Sequence, residues 1–455
     1  MTEPRFACLL NGSIFADFAH LSPAVVSIMP HRSLLAGLFL SACVVATAQA
    51  ENWPCWRGPR GDGTSADSHL PTTWSDDQQG KTENVVWKVP VDGIGHSSPV
   101  VWDDVIFLTT CLVDDGDGKT PTDRLLICLD RATGKERWRR TVFRAPLEKK
   151  HTLNSFASGT PATDGKRVFV TLFESDSDDE TKNRGQMVVA AYDFAGELVW
   201  VKRPGRFSST HGYCSSPVLF EDLVIVNGDH DGDAYIVALR QADGSQVWKT
   251  PRENKTRSYC TPIIRTFGGP PQLILSGSKS ICSYDPRSGE RIWNIDGPTE
   301  QFVASLVDDG KLLFMTAGFP ERHILAIRPD GRGNVTDSAI VWRTKENCSY
   351  VPSPIVCGDY FLVVADNGIA SCFKAATGER LWKERLGDDH SASLLTAGGL
   401  VYFVSDAGTT TVVRPGPNYE PIAVNSLGEE VSASPAASDG KLYIRTLGHL
   451  YCIGK

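Results

Sequence analysis

The feature that most constrains the fold is a ten-residue segment ending in tryptophan that recurs along the chain. It reads LDRATGKERW at 129–138, YDPRSGERIW at 284–293 and FKAATGERLW at 373–382. Repeats of 40 to 62 residues with strand patterning predict a β-propeller or another repeat array. The tryptophans that mark the repeat are Trp87, Trp138, Trp200, Trp248, Trp293, Trp342 and Trp382.

Each repeat predicts four antiparallel strands. It opens with small residues, often Ser/Thr-Pro, and continues with two β-rich runs joined by a tight turn such as TDGKR or SDGKL. A third run leads into the tryptophan segment, whose glycine (Gly134, Gly289 or Gly378) takes the positive φ that closes the hairpin. The tryptophan of the fourth strand can then bury a large ring between neighbouring sheets. Eight such repeats without helical periodicity predict an all-β fold, an eight-bladed β-propeller of four-stranded antiparallel blades.

The two ends of the repeat array complement each other. The last repeat has only three strands, whereas ENVVWKVPV at 83–91 is a lone fourth strand with its own tryptophan. Pairing them would complete the eighth blade and remove free sheet edges, so we expect Trp87 to lie in the same sheet as Leu450. The propeller then spans 83–455, preceded by an extended N-terminal segment at 51–82.

The N-terminus has the pattern of a secretory signal peptide at 29–50. A basic start and an apolar run precede the Ala48-Gln49-Ala50 cleavage site, which leaves residues 1–28 as an over-extended start. In an alternative interpretation, LSAC ending at Cys43 resembles a lipoprotein box, with a lipid anchor on Cys43. Either way we expect export to the periplasm or cell envelope. No other stretch is apolar enough to span a membrane, and the net charge of -8 without a basic cluster argues against nucleic-acid binding.

The cysteines suggest small buried thiols. Cys128, Cys372 and Cys452 occupy a small-residue position of a repeated strand. Disulfides between Cys111 and Cys128, or between Cys348 and Cys357, remain open alternatives.

The loops that lead into the innermost strands should ring one mouth of the central channel. Polar loop residues presented by a rigid scaffold are typical of binding sites, so their convergence predicts a site at this mouth. The simpler interpretation is that they satisfy loop backbone groups or face water. The candidate residues are His96, His151, Asn154, His211, Tyr213, Arg257, Tyr259, Gln301, Tyr350 and His390.

An acidic loop on the same face suggests a second kind of site. In GDHDGD, Asp229, Asp231 and Asp233 alternate and could offer oxygen ligands to calcium, although the distant glutamate of an EF-hand loop is missing.

The recurring Ala/Cys-x-Asp-x-x-Thr-Gly-x-x-x-Trp pattern resembles the pyrroloquinoline-quinone (PQQ) type propeller repeat from about Trp87 to the end. The chain is similar to secreted bacterial PQQ-binding-like β-propeller proteins, and BamB, the lipoprotein of outer-membrane protein assembly, is a relative with the same eight-bladed plan. The family implies that each tryptophan docks between blades. Arg240 and Lys374 depart from the aspartate, the 327–342 copy has an insertion, and the copy ending near Val424 lacks the tryptophan.

The resemblance implies a non-catalytic, exported scaffold that binds envelope proteins, as in BamB-like outer-membrane protein assembly, and needs no cofactor. A first alternative is a PQQ-dependent quinoprotein dehydrogenase with PQQ and calcium at the mouth. Such enzymes carry an adjacent cysteine pair, which this sequence lacks. A second alternative is a carbohydrate-binding or hydrolytic propeller, whose two carboxylates could come only from Glu300, Glu429 and Glu430.

Overall fold

Eight antiparallel sheets follow one another along the chain in the computed structural model, which describes residues 51–113, 120–179, 181 and 183–455. In blades 1 to 7 the four main strands follow one another along the chain, whereas the eighth sheet takes its outermost strand from the N-terminal end of the array. First strands of neighbouring sheets contact each other at several junctions around a central channel. The eight-bladed, all-β prediction is confirmed. The one helix among the described residues is the short Thr336–Ala339. The predicted signal peptide and Cys43 lie outside the described residues.

The strands of blades 1 to 4 lie in the following order from the innermost outward. Blade 1 consists of Val100–Trp102, Val105–Cys111, Thr122–Asp130 and Glu136–Ala145. Blade 2 consists of Ala162–Thr163, Arg167–Ser175, Arg184–Asp193 and Leu198–Ser208. Blade 3 consists of Val218–Phe220, Leu223–Gly228, Tyr235–Arg240 and Gln246–Pro251. Blade 4 consists of Ile263–Arg265, Gln272–Gly277, Ser280–Tyr284 and Arg291–Asp296, with Gly333–Asn334 added at its outer edge.

The remaining blades repeat this order. Blade 5 consists of Val307–Asp308, Leu313–Ala317, His323–Ile327 and Ile340–Thr344. Blade 6 consists of Ile355–Cys357, Tyr360–Val364, Ile369–Lys374 and Arg380–Arg385. Blade 7 consists of Leu395–Ala397, Leu400–Val404, Thr409–Arg414 and Glu420–Ser426, extended by Ser75–Asp76 and Thr82–Glu83. Blade 8 consists of Ala436–Ser438, Lys441–Arg445, His449–Ile453 and Val85–Pro90.

The middle strands carry the core because neighbouring blades cover both of their faces. Leu223–Gly228 in blade 3 is buried at every position, as is Leu313–Ala317 in blade 5. Such strands are apolar without alternation. Fourth strands such as Arg380–Arg385 face solvent on one side and are largely exposed.

The repeated tryptophans join each blade to the next. Trp248 donates its indole N–H to the carbonyl of Pro286 at 3.1 Å, and its ring lies on the turn glycine Gly289 of blade 4. Gly289 has φ +73°, and a Cβ there would lie 2.5 Å from the indole, so both the conformation and the close approach require glycine. The other tryptophan–glycine pairs with this arrangement are Trp87–Gly134, Trp138–Gly196, Trp200–Gly244 and Trp342–Gly378.

Two of the repeated tryptophans vary this arrangement. Trp382 still donates to a carbonyl of the next blade, that of Gly416, at 3.1 Å. Trp293 instead donates to Gln272 Oε1 within its own blade at 2.8 Å and is 1% exposed. The insertion noted in the 327–342 copy explains the difference, because Val335 and Ala339 belong to the cluster that buries this ring.

Ring closure occurs as predicted. Val85–Pro90 pairs antiparallel with His449–Ile453, and Val89 stands opposite Leu450. At blade 7, whose copy lacks the repeated tryptophan, Trp74 of the N-terminal segment stacks on Tyr402 with ring centroids 6.5 Å apart. The N-terminal segment thus supplies a ring where the repeat omits one.

A belt of hydroxyl groups joins the blades close to the channel. At one position of each repeat, the backbone N–H donates to the Ser or Thr hydroxyl of the following blade at 2.9–3.1 Å, for seven consecutive steps. At the junction of blades 8 and 1, the hydroxyl of Ser98 is buried without a partner. This belt consists of Ser98, Thr160, Ser216, Thr261, Ser305, Ser353, Ser393 and Ser434.

Residues 53–67, here called the N-terminal plug, cross the face where the innermost strands end. Trp53 pairs with Val101 of blade 1, and Thr64 pairs with Thr396 of blade 7. Between them, Arg57 is 2% exposed and donates to the carbonyl of Pro354, before blade 6, at 2.6 Å. The plug therefore closes the channel on this face.

The ten described cysteines are all free thiols, so neither of the two disulfides considered from sequence is formed. Cys128, Cys372 and Cys452 are fully buried, as expected for small apolar side chains. No helix among the described residues is long and apolar enough to cross a membrane.

Candidate functional site

A cavity of about 490 Å³ occupies the channel on the face where the innermost strands begin. The plug residue Trp56 belongs to its lining and reaches it from the closed side of the channel. The structure brings eight of the ten sequence-predicted site residues together in this lining. They are His96, His151, Asn154, His211, Arg257, Tyr259, Gln301 and Tyr350.

The other two predicted residues do not line the cavity. Tyr213 is 6% exposed and packs edge-on against Phe207, with ring centroids 5.3 Å apart. His390 is 3% exposed, and its Nδ1 lies 2.9 Å from the carbonyl oxygen of Asp388. Tyr213 belongs to the apolar core between blades 2 and 3, and His390 turns toward its own loop, so their placement does not support a role at the mouth.

One wall of the cavity, formed by blades 1 to 4, carries imidazole and guanidinium groups. The rings of His151 and His211 meet edge to face at 5.2 Å between centroids, and His211 stacks against Tyr259 at 6.2 Å. Arg257 holds Asp231 through Nη1 at 2.6 Å, while its Nε is buried without a partner. The hydroxyl of Tyr259 is likewise buried and unpaired.

Burial and neighbouring cations favour the uncharged form of two imidazoles of this wall, those of His96 and His211. Burial, with added repulsion from Arg445 and Lys150, lowers the pKa of His96 to about 4. Burial and the Arg257 guanidinium also lower the pKa of His211. His151 accepts the Leu153 backbone N–H at Nδ1 (3.2 Å), so in its neutral form the proton lies on Nε2, which can donate.

The opposite wall, from blades 5 to 8, is apolar and hydroxyl-bearing. Val303, Phe319 and Val351 line it together with serines of the mouth loops. No aspartate or glutamate belongs to the described lining. The cavity is therefore cationic to neutral on one side and apolar on the other.

Two aspartates outside the lining hold the loops of this second wall. Asp366 accepts the backbone N–H groups of Tyr350 and Val351 at 2.9 Å each. Asp406 accepts the N–H of Ser391 at 2.7 Å, and burial raises the pKa of this carboxyl. Neither aspartate was predicted as a site residue, although their turns, ADNG and SDAG, occupy the same place in neighbouring repeats.

The rim of the cavity exposes two large apolar side chains. Leu153 is 50% exposed and Phe319 is 51% exposed, and both also line the cavity. Leu153, Phe319 and Trp56 were missed as site residues, because an apolar residue carries no functional signal in the sequence of a loop.

The structure does not assemble the proposed calcium ligands into one set. Asp229 is buried and paired with Arg252 at 2.8 Å, Asp231 is paired with Arg257, and Asp233 lies 2.6 Å from the Lys255 ammonium. Each carboxylate thus faces its own cation. Within the described part of the chain, no group of three His, Cys, Asp or Glu side chains is placed to hold a metal ion.

The carboxylates required by the hydrolytic alternative lie elsewhere as well. Glu300 pairs with Lys279 at 3.3 Å, and Glu429 pairs with His449 at 2.9 Å. Neither these two nor Glu430 lines the cavity.

Comparisons with known proteins agree with this architecture. The family model described as outer membrane protein assembly factor BamB matches residues 121–383 and 331–415. No curated protein matches the chain. BamB from Moraxella catarrhalis is similar in structure, with a TM-score of 0.57 and 12% identity over 82% of this chain and 99% of that chain.

A quinohemoprotein alcohol dehydrogenase from Pseudomonas putida is also similar, with a TM-score of 0.55 and 12% identity over 89% of this chain and 80% of that chain. At such identity the two structural likenesses show a shared fold. The family match covers more than half of the chain and rests on the repeats described above. The chain therefore belongs to the PQQ-like repeat β-propeller family represented by the BamB assembly-factor model.

Proposed function

We propose that this chain is a non-catalytic propeller of the bacterial cell envelope that holds a protein partner at the cavity mouth. The observation that carries the proposal is the pair of half-exposed apolar side chains, Leu153 and Phe319, at the rim of a preformed cavity. Protein interfaces are typically centred on apolar and aromatic side chains that fill pockets, with polar groups around them. The mouth offers these features on a rigid ring.

The location and biological role rest on the family and on the N-terminal sequence. The signal-like segment at 29–50 favours export, and the family description favours a role in outer-membrane protein assembly. Mass spectrometry of the mature N-terminus distinguishes cleavage before Glu51 from a lipid on Cys43. An uncleaved N-terminus retained in the cytoplasm would contradict the envelope location.

The described lining does not fit the calcium-dependent quinoprotein alternative. Calcium prefers carboxylate and carbonyl oxygens, whereas this lining offers imidazoles, hydroxyls, amides and a guanidinium. Adding PQQ and Ca²⁺ to the purified protein tests the alternative. Quinone absorbance that remains with the protein, together with alcohol-dependent dye reduction, would overturn the non-catalytic proposal.

The partner proposal is tested by crosslinking and co-purification from envelope extract. We expect Leu153→Asp and Phe319→Asp each to reduce partner recovery at least ten-fold, because each places a charge in the apolar part of the interface. Leu198→Asp is the matched control, since Leu198 is 54% exposed on the outer strand of blade 2, away from the mouth. Undiminished recovery with both rim variants would refute docking at the mouth.

A further inference from the structure

The N-terminal plug covers the propeller channel on the face opposite the mouth. Trp53 is fully buried and Arg57 is 2% exposed, so these two residues seal the far end. Trp56 lies between them, yet it is partly exposed and lines the cavity. The floor of the site is thus an indole from a segment outside the blades.

The polar groups of the cavity are concentrated on one side. Arg257, His151 and His211 belong to one wall, and Tyr259 adds a buried hydroxyl with no partner on that wall. Asp231 engages one amino group of Arg257, which leaves other guanidinium donors unused. Because no carboxylate lines the cavity, this wall is suited to an anionic group.

The shape limits what can enter. A volume of about 490 Å³ lies in the range of small-ligand sites and is too small for a folded domain. An internal segment of a polypeptide would have to enter and leave through the same mouth as a hairpin. A chain end needs to pass through the mouth only once. A C-terminus also carries both a carboxylate and a terminal side chain.

We propose that the cavity binds the C-terminal end of a partner polypeptide, with its carboxylate at the Arg257–Tyr259 wall and an aromatic terminal side chain against Trp56. This inference rests on the proposed function and names the part of the partner that is recognised. Leu153 and Phe319 then contact the preceding residues at the rim. Trp56 acts as a specificity-determining residue although it lies more than a hundred residues before most of the cavity.

The test uses isothermal titration calorimetry with the purified protein and short peptides. The probes are acetyl-Gly-Gly-Phe with a free carboxylate, the same peptide with a C-terminal amide, and acetyl-Gly-Gly-Ala with a free carboxylate. We expect the Phe acid to bind at least ten-fold more tightly than either the amide or the Ala acid. Phenylacetate, which has the same chemical groups without the chain, should bind at least ten-fold more weakly than the Phe acid.

Variants separate the two contacts. Arg257→Gln should bring the acid-to-amide affinity ratio close to one, whereas Trp56→Ala should weaken both Phe peptides about ten-fold and leave the ratio unchanged, as expected for lost stacking. Trp56→Phe retains a ring and should restore most of the affinity. Arg414→Gln is the matched control, because Arg414 forms an exposed ion pair with Glu420 at 3.0 Å on blade 7. Melting curves confirm that each variant is folded.

The outcomes distinguish this inference from the proposed function. Equal affinity for acid and amide, or phenylacetate binding as tightly as the Phe acid, would overturn recognition of a chain end. If no peptide binds while partner recovery still depends on Leu153 and Phe319, docking at the mouth stands and the C-terminus inference is wrong. If partner recovery is also independent of the rim, the proposed function itself fails.

Discussion

The hydroxyl belt allows a prediction with an internal control, because two of its serines are equally buried but differently bonded. Ser305 and Ser98 are each 1% exposed. Ser305 Oγ accepts the Thr261 N–H at 3.0 Å and donates to the Thr261 carbonyl at 2.9 Å, whereas Ser98 Oγ has no partner. We therefore predict that Ser305→Ala destabilises the protein and that Ser98→Ala does not.

The magnitudes follow from what each substitution leaves behind. Ser305→Ala strands a buried N–H and a buried C=O, each at a cost of about 1–3 kcal/mol, so we expect a loss of about 2–6 kcal/mol in the free energy of unfolding. Ser98→Ala removes a buried hydroxyl that already lacks a partner, so we expect an effect between no change and a gain of about 1 kcal/mol in the free energy of unfolding. The lost volume is the same in both, so packing cancels in the comparison.

The assay is urea unfolding at 25 °C, followed by circular dichroism and by tryptophan fluorescence. The difference between the two variants is the informative quantity, since wild type supplies the common reference. Equal losses for Ser305→Ala and Ser98→Ala would mean that the belt hydroxyls contribute only by packing, and the account of the belt would be wrong.

Further predictions concern the blade junctions, the closure, the plug and the pH response. Gly289→Ala should lower the free energy of unfolding, measured in urea, by about 1–3 kcal/mol more than Gly310→Ala does. Both glycines have positive φ, but of the two only Gly289 lies against an indole. Equal losses would contradict the proposed docking of tryptophan on the turn glycine. Deleting Val85–Pro90 should lower the calorimetric melting temperature of the whole propeller, and an unchanged transition would refute closure. Trp53→Ala should lower the free energy of unfolding by about 3–5 kcal/mol and increase the rate of hydrogen exchange of the plug amides. An unchanged exchange rate would argue against the role of Trp53 in holding the plug on the channel. Because the folded-state pKa of His96 is lowered to about 4 from 6.5, the unfolded chain binds more protons between these values. The free energy of unfolding should therefore rise as the pH is raised from about 4 to 6.5, and decrease on acidification, more steeply than in His96→Asn; parallel curves would count against this assignment.

Much of the architecture could be predicted because the repeat segments recur at a regular spacing along the chain. The tryptophan spacing indicated the repeat, its eight small-residue opening segments predicted the blade count, and the unpaired strand around Trp87 predicted the closure. The Ser/Thr positions of the repeat were visible as small residues. The hydrogen-bonding role of these hydroxyls could not be predicted, because each accepts a backbone N–H from a residue one blade away.

The candidate site was predictable only in part. Loop position alone identified eight cavity residues, but it could not decide which side chains of a loop turn inward. Tyr213 packs into the core between blades 2 and 3, and His390 packs into its own loop. Trp56 was out of reach, since its place under the cavity depends on contacts such as that of Arg57 with Pro354, 297 residues away.

The plug has a consequence for how the molecule assembles. Trp53 can pair once blade 1 exists, but Arg57 needs the residue before blade 6, and Thr64 needs blade 7. The plug precedes every blade in the chain, yet its contacts can be completed only after most of the ring has formed. Such long-range contacts slow folding and prolong the exposure of apolar surface. The plug would then dock late in folding, and Trp56 would reach the cavity only when the ring of blades is nearly complete.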